Sequence, residues 1–348
     1  MRSKFRQTIG LLIVFILFFS LQLFSSDEKL QIVCSFSDYA SIAEFIAGDY
    51  AEVEYISQGN QDPHFVPPKP GFAMMLKKAD MWITTGMDLE GWSTTLLDKA
   101  RNKDIMDGQT GFVSVSPGIP VLQKVTGNID QSRGDIHLMG NPHIHTGPLN
   151  WKHIAENITI GLVKNMPDKK EYFTDNLKKF KEKVNYSLFG KELVDLFGGE
   201  RLSKMLLNHT LFNFLEKDYQ GDKLITKLGG WLKEALPFRG MQVIAYHKNW
   251  AYFADQFGLS VVEYIEPKPG IPPTPKHVQK MTNLIKDMNI DLMLVATYFE
   301  KRKPQTISQK TGIEALFLPV SVDGIPEVND NFKLIDYWIE QINEAVQK

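Results

Sequence analysis

Short apolar runs alternate with amphipathic segments along the first third of the chain. Four runs have the length of buried strands, and a segment with helical periodicity follows each of the first three. The predicted strands are 31–36, 53–57, 81–85 and 112–116, and the predicted helices are 38–47, 71–79 and 91–100. Strands that alternate with helices at this spacing indicate βα units and a parallel sheet.

The same alternation returns in the last third of the chain. The predicted strands there are 241–246, 260–265, 292–297 and 315–321, and the predicted helices are 249–257, 274–288, 304–311 and 329–347. Residues 191–240 between the two halves show only irregular helical material. Each half of the chain therefore predicts its own four-stranded parallel sheet.

One long helix is predicted between the halves. It begins after Pro167, and its apolar positions recur at steps of three and four, namely Phe173, Leu177, Phe180, Val184 and Leu188. A helix over 168–188 spans about 32 Å at 1.5 Å per residue. We predict an α/β fold of two βα lobes joined by this rigid helix. The predicted parts are a signal peptide at 1–26, an N-terminal metal-binding lobe at 27–166, a linking helix at 167–190 and a C-terminal metal-binding lobe at 191–348.

The N-terminus differs from the rest of the chain. Arg2, Lys4 and Arg6 precede an almost wholly apolar run at 11–24. A basic segment before a short apolar run is typical of a secretory signal peptide. We therefore predict a periplasmic protein, and an uncleaved membrane anchor is the alternative.

Composition and charge exclude several classes of protein. Hydrophobic residues make up 43% of the 348 residues and charged residues 23%, which is typical of globular proteins. The net charge is −2 and there is no basic run, so a nucleic-acid partner is not expected. Cys34 is the only cysteine and lies within the first predicted strand. It cannot form an internal disulfide. We predict that it is a buried core residue rather than a lipid attachment point.

Histidines and one carboxylate follow strands in both halves. His64 lies after the second strand, His247 at the end of the first strand of the second half, and Asp323 after the last strand. The long loop after the fourth strand contains His137, His143 and His145, which spacing alone does not separate. Ligands of open parallel sheets bind beyond the carboxyl ends of the strands. Imidazoles with a carboxylate are ligands that Zn²⁺ prefers, so these residues predict a zinc site.

Several motifs at these positions resemble the metal-binding family of ABC-transporter substrate-binding proteins. They are Asp62-Pro-His64, Gly140-Asn-Pro-His143, and 247–253 with Phe257-Gly258. The segments 228–233, 238–240 and 266–275 resemble a zinc-binding branch of that family. The resemblance covers nearly the whole chain after the predicted signal peptide. One departure is that residues 101–134 contain no histidine, whereas many zinc members carry a histidine-rich loop there.

The resemblance implies a function and a ligand set. The family holds its metal between two lobes and delivers it to the membrane permease of an ABC importer. Carried over position by position, the ligands are His64, His143, His247 and Asp323, with Glu300 and Glu327 as alternatives to Asp323. We expect one Zn²⁺ per chain and a monomeric protein.

The third ligand position favours zinc over other metals. Manganese sites of the family resemble two histidines with two carboxylates, whereas this chain has His247 at the third position. Nitrogen-rich sites suit Zn²⁺, and oxygen-rich sites suit Mn²⁺. Binding of Mn²⁺ or Fe²⁺ is the alternative within the family. A periplasmic zinc hydrolase is the alternative from another class, but no H-E-x-x-H motif is present, so we predict that the protein is not an enzyme.

Overall fold

The structure is a computed structural model that describes residues 29–124, 139–266 and 271–347. The predicted signal peptide at 1–26 and the candidate ligand His137 lie outside the described residues. The described chain contains two four-stranded parallel sheets, one in each half. The α/β fold with two parallel sheets that the sequence predicts is therefore confirmed.

The N-terminal sheet has the strand order β2-β1-β3-β4. Its elements are β1 (Leu30–Phe36), α1 (Ser37–Ala47), β2 (Ala51–Ser57), α2 (Pro70–Lys78), β3 (Met81–Thr84), α3 (Ser93–Ala100) and β4 (Phe112–Ser114). In the central strand β1, consecutive apolar residues from Ile32 to Cys34 are buried. An unbroken apolar run of this kind is typical of a strand that is covered on both faces. Helices α1 and α2 pack against it.

The C-terminal sheet has the order β10-β9-β7-β8. Its elements are β7 (Gln242–Ala245), α10 (Ala251–Phe257), β8 (Ser260–Tyr264), α11 (Pro275–Met288), β9 (Leu292–Ala296), α12 (Arg302–Thr311), β10 (Glu314–Leu318) and α13 (Asn331–Val346). Every residue of β9 is buried. Ile244 of β7 lies opposite Met293 of β9. The carboxyl end of β7 is followed within two residues by His247.

Further elements in the described part of the chain connect the sheets. They include α4 (Asn150–Asn165), a short 3₁₀ turn (Pro167–Lys169), α5 (Lys170–Phe189), α6 (Lys191–Phe197), α7 (Gly199–Leu207), α8 (Leu211–Leu215), the hairpin strands β5 (Asp218–Tyr219) and β6 (Asp222–Lys223), and α9 (Gly230–Glu234). The long helix α5 buries Phe173, Phe180, Val184 and Leu188 on one side. It packs against α1 of the first half and against α7 and α9 of the second, so it contacts both halves of the chain.

Helix α4 and the hairpin strands β5 and β6 do not appear among the sequence predictions. Helix α4 carries buried apolar residues at helical spacing, including Trp151, Ile154, Ile158 and Leu162. Its pattern is a detectable signal, but the polar residues between them and Gly161 weaken it. The hairpin of β5 and β6 has two residues in each strand, which is too short to produce a periodic pattern.

Cys34 lies in β1 with no solvent exposure, as predicted from the sequence. Burial, reinforced by the charge of Glu44, raises the pKa of its thiol well above the ordinary value. A neutral thiol in this position is a small apolar core group. Within the described part of the chain, no helix is long and apolar enough to cross a membrane.

Candidate metal centre

His64 is held by a turn that its own tripeptide forms. The turn follows β2 and consists of Asp62, Pro63 and His64. Oδ1 of Asp62 accepts a hydrogen bond from the backbone N–H of His64 at 3.0 Å and lies 2.8 Å from its Nδ1. The indole N–H of Trp92 donates to the carbonyl of Pro63 at 2.8 Å, which fastens the turn to the start of α3.

His143 sits in a second turn of the same kind. Oδ1 of Asn141 accepts from the backbone N–H of His143 at 2.9 Å and lies 2.9 Å from its Nδ1. Pro142 separates the two residues, as Pro63 does in the first turn. An Asx side chain that bonds the backbone two residues on is a local turn device, so each tripeptide orients its own imidazole.

His247 is oriented by a neighbouring strand instead. It follows β7, and its Nδ1 lies 2.7 Å from Oε2 of Glu266, which follows the adjacent strand β8. The backbone N–H of Glu266 donates to the carbonyl of Tyr246 at 3.0 Å, which continues the pairing of the two strands beyond their ends. The side chains of His247 and Glu266 are 6% and 9% exposed.

The three imidazoles converge on one point. Their ring centres are 5.1 Å apart for His64 and His143, 5.3 Å for His64 and His247, and 5.2 Å for His143 and His247. One ring nitrogen from each lies within 4.8 Å of the others. A zinc–nitrogen bond of about 2.0–2.1 Å puts each ring centre about 3.2 Å from the ion, so rings at tetrahedral angles are about 5.2 Å apart. The observed spacing matches that arrangement.

The hydrogen bonds at Nδ1 decide which nitrogen faces the centre. The amide oxygen of Asn141 only accepts, so Nδ1 of His143 carries the proton. The carboxylate oxygens of Asp62 and Glu266 accept in the same way and impose the same tautomer on His64 and His247. Nε2 of each ring is then the lone-pair nitrogen that a metal requires. Nε2 of His247 is buried and has no hydrogen-bond partner in the described chain.

Asp62 is ionised in this setting. Burial by itself raises the pKa of its carboxyl, but the hydrogen bonds and charge of His64 outweigh burial, so the net pKa lies below the ordinary value. The three clustered histidines thus have two carboxylates, Asp62 and Glu266, and one amide, Asn141, at their Nδ1 atoms. Such partners of metal-bound imidazoles fix the ring and increase its basicity.

Asp323 is not part of this cluster in the structure. Its side chain is exposed, and its Oδ2 accepts a hydrogen bond from the hydroxyl of Tyr55 at 2.8 Å. Its backbone φ is +59°, a left-handed conformation that closes the loop beside Gly59. The structure therefore brings together three of the four ligands that the sequence predicts and directs the fourth elsewhere.

The alternative ligands do not join the cluster either. Glu300 is exposed and forms an ion pair with Lys303 at 3.5 Å, and Glu327 is exposed near the C-terminal helix.

His145 is buried, and its ring centre lies 5.7 Å from that of Phe36 and 6.4 Å from that of Tyr39. Burial, followed by the charge of His64, lowers the pKa of His145 to about 3. His145 is a neutral core side chain.

Sequence reasoning did not recognise the three residues that hold the imidazoles. Asp62 and Asn141 stand in the two Pro-His motifs, and Glu266 begins one of the segments that carry the family resemblance. The signal for the first two is the acceptor two residues before each histidine. The signal for Glu266 is its place at the carboxyl end of the strand next to β7.

A family model described as zinc-uptake complex component A, periplasmic, matches residues 32–226 and 222–345. The chain belongs to this family. The resemblance stated from the motifs is confirmed. A manganese ABC transporter substrate-binding lipoprotein, PsaA of Streptococcus anginosus, is 24% identical over 332 residues, which are 93% of this chain and 91% of that protein. A zinc-binding lipoprotein, AdcA of Streptococcus pneumoniae, is 27% identical over 195 residues, which are 56% of this chain and 38% of that protein.

Solved structures show the same fold. A crystal structure of ZnuA superposes with a TM-score of 0.67 at 20% identity and covers 92% of this chain and all of that one. The manganese-bound periplasmic metal-binding protein of Candidatus Liberibacter asiaticus has a TM-score of 0.63 at 15% identity, with 92% and 100% coverage. The chain is thus a metal-binding substrate-binding protein of an ABC transporter. Members of this family are transport proteins rather than enzymes, and their transporters contain a membrane permease.

Proposed function

We propose that this family member binds one Zn²⁺ per chain through Nε2 of His64, His143 and His247 and delivers it to the permease of an ABC importer. The observation that carries the proposal is the mutual spacing of the three ring centres, 5.1–5.3 Å. That spacing is reached while each Nδ1 is already fixed by an acceptor. The protein's own hydrogen bonds therefore orient the three rings for a tetrahedral ion.

The donor set favours Zn²⁺ over Mn²⁺ and Fe²⁺. Three imidazole nitrogens face the centre, and the two nearest carboxylates are used behind the histidines. Manganese prefers oxygen ligands, and the Irving–Williams order places Zn²⁺ above Mn²⁺ and Fe²⁺ for a given site of this type. Relatives are named for manganese as well as for zinc, so the comparison of these ions is the decisive one. The two carboxylates also balance the charge of a divalent cation in this buried site.

A tetrahedral ion held by three histidines has one further ligand position. Asp323 remains the residue that we propose for it, and reaching it requires that the carboxylate leave the hydroxyl of Tyr55. Water fills such a position readily. We therefore assign most of the affinity to the three histidines.

The cellular setting follows from the same family. The relatives cited above are lipoproteins by name, and we propose that this chain is exported through residues 1–26 and acts outside the cytoplasm as a monomer. Cys34 is fully buried in β1, so it is not a lipid attachment point in the folded protein. We also propose the division into lobes at 27–166 and 191–348 with a linking helix at 167–190.

Metal analysis of the purified, untagged protein tests this function. We expect one Zn²⁺ per chain and a competition titration in which Zn²⁺ displaces Mn²⁺. His209 is the matched control, because its side chain is 66% exposed and lies beside Asp255 rather than in the cluster. His209→Ala is expected to retain the ion. Two or more tightly held ions, no zinc after loading, or preferential retention of Mn²⁺ would contradict the proposal.

A further inference from the structure

Asn141 uses each of its polar atoms. Its Oδ1 accepts from the backbone N–H and from Nδ1 of His143. Its Nδ2 donates to the carbonyl of Lys248 at 2.9 Å and to Oε1 of Gln123 at 3.0 Å. Its backbone N–H donates to the carbonyl of Leu122 at 2.9 Å, and its carbonyl accepts from the hydroxyl of Tyr252 at 2.6 Å. The residue is 4% exposed, so these bonds are shielded from water.

Two of these partners fix which end of the amide is which. The backbone N–H of His143 can only donate, and the backbone carbonyl of Lys248 can only accept. The oxygen of Asn141 must therefore face His143, and the nitrogen must face Lys248. A carboxylate at this position retains the first bond and places an acceptor against the carbonyl in the second.

Lys248 directly follows His247 in the chain. One side-chain amide thus holds the imidazole of His143 and, at its other end, the backbone next to His247. Further bonds fasten the same loop to the C-terminal half, since Thr146 Oγ1 donates to the carbonyl of Asn249 at 2.9 Å. The backbone N–H of Leu149 donates to Oε1 of Gln256 at 3.0 Å. His143 lies in the first half of the sequence but is anchored to the second.

We propose that Asn141 is a positioning residue that holds the His143 and His247 imidazoles at one separation, and that position 141 requires an amide rather than a carboxylate. The inference rests on the proposed zinc function for its binding readout. Asp62 offers the natural contrast, because it makes the same local bonds to His64 with a carboxylate.

For Asn141→Asp, the added charge and the lost positioning predict opposite changes in zinc affinity. Asn141→Asp adds a negative charge close to a bound cation, and Coulomb attraction alone predicts tighter binding. It also removes the donor to Lys248, and loss of positioning predicts weaker binding. We expect positioning to dominate, with a loss of zinc affinity of about tenfold or more.

The experiment compares Asn141→Asp with two matched variants. Asp62→Asn is the reciprocal exchange in the other turn and keeps the acceptor for His64. Asn157→Asp is the remote control, because the Asn157 amide also donates to backbone carbonyls, those of Val115 and Pro117. Zinc affinity is measured by competition, and the Co²⁺ absorption of each loaded variant reports tetrahedral geometry.

We expect Asn141→Asp to lose zinc affinity and tetrahedral Co²⁺ absorption together. Asp62→Asn should keep the absorption, and Asn157→Asp should bind zinc as the wild-type protein does. Equal or tighter zinc binding by Asn141→Asp would overturn the inference.

Hydrogen exchange of the metal-free proteins separates this inference from the zinc proposal. Asn141→Asp is expected to accelerate exchange in both 139–149 and 246–257, because the amide couples the two segments. Unchanged exchange, or acceleration in one segment only, contradicts the inference even if the wild-type protein binds no zinc, whereas absent zinc binding alone contradicts the proposed function. Asn141→Ser, which cannot span to Lys248, replaces Asn141→Asp with the same expected outcomes if the latter does not fold.

Discussion

The turns that carry His64 and His143 have the same local design and different surroundings. In each, an Asx oxygen two residues upstream accepts from the backbone N–H and lies 2.8–2.9 Å from Nδ1 of the histidine. The Asp62 turn is fastened within the first half of the chain, through Trp92. The Asn141 turn is fastened across to Lys248 and Tyr252 of the other half.

This difference shows that the orientation of each ring and its position relative to the other rings are set by different hydrogen bonds. The tripeptide sets the tautomer and the ring direction, and it does so from local sequence alone. Long-range hydrogen bonds set where the oriented ring stands relative to the other two. These bonds tie His143 to the segment that carries His247, whereas the bonds that hold His64 come from the first half of the chain.

The largest effect is expected on removal of a ligand histidine. Changes to the partners of metal ligands lower affinity ten- to hundredfold, so loss of a ligand itself is expected to exceed about a hundredfold. His64→Ala, His143→Ala and His247→Ala should all abolish most zinc stabilisation in thermal unfolding at micromolar ion. His145→Ala should retain it. If His145→Ala loses zinc binding while His143→Ala keeps it, the assignment in the second turn is wrong.

Zinc affinity should depend steeply on pH, because protons compete with the ion at all three histidines. Zinc requires neutral imidazoles, and a free imidazole titrates at about pH 6.5, so protons compete with the ion as the pH falls. Affinity should therefore drop progressively from pH 7.5 to 5.5. Burial lowers the pKa of His145 to about 3, so this residue stays neutral over the range and adds nothing to the slope. A titration that is flat over this range excludes a three-histidine site.

A smaller effect is expected for the acceptor behind His247. Glu266→Gln keeps an oxygen that can accept from Nδ1 of His247 but removes a buried negative charge. We expect about a tenfold loss of zinc affinity with unchanged stoichiometry. Glu263→Gln is the control, because Glu263 lies in β8, three residues before Glu266, and forms an ion pair with the exposed Lys280. Equal affinity of the two variants would show that charge behind the ligands does not matter.

The smallest effect is expected at Asp323. Its carboxylate bonds the hydroxyl of Tyr55, and water can occupy the remaining position on zinc, so Asp323→Asn should lower affinity by less than about tenfold. Isothermal competition against the wild-type protein measures the difference. A loss as large as that of His64→Ala would show that the loop moves Asp323 onto the ion.

The periodic parts of the molecule were predictable from the sequence, and the site was predictable in part. Buried strands such as β9 produce unbroken apolar runs, so both sheets follow from the pattern. Strand ends and prolines made His64, His143 and His247 candidates, but spacing alone did not separate His143 from His137 and His145, and the family resemblance selected it. Asp323 could not be placed in this way, because its left-handed backbone and its bond to Tyr55 depend on a loop packed against Gly59 from the other half of the chain.

The central claim is that three imidazole nitrogens bind one zinc ion. Zinc K-edge X-ray absorption of the protein loaded with one equivalent tests it most directly. The account predicts a four-coordinate ion with three histidine nitrogens at about 2.0–2.1 Å. A spectrum with two or fewer imidazoles, or with a six-coordinate oxygen-rich shell, would contradict it.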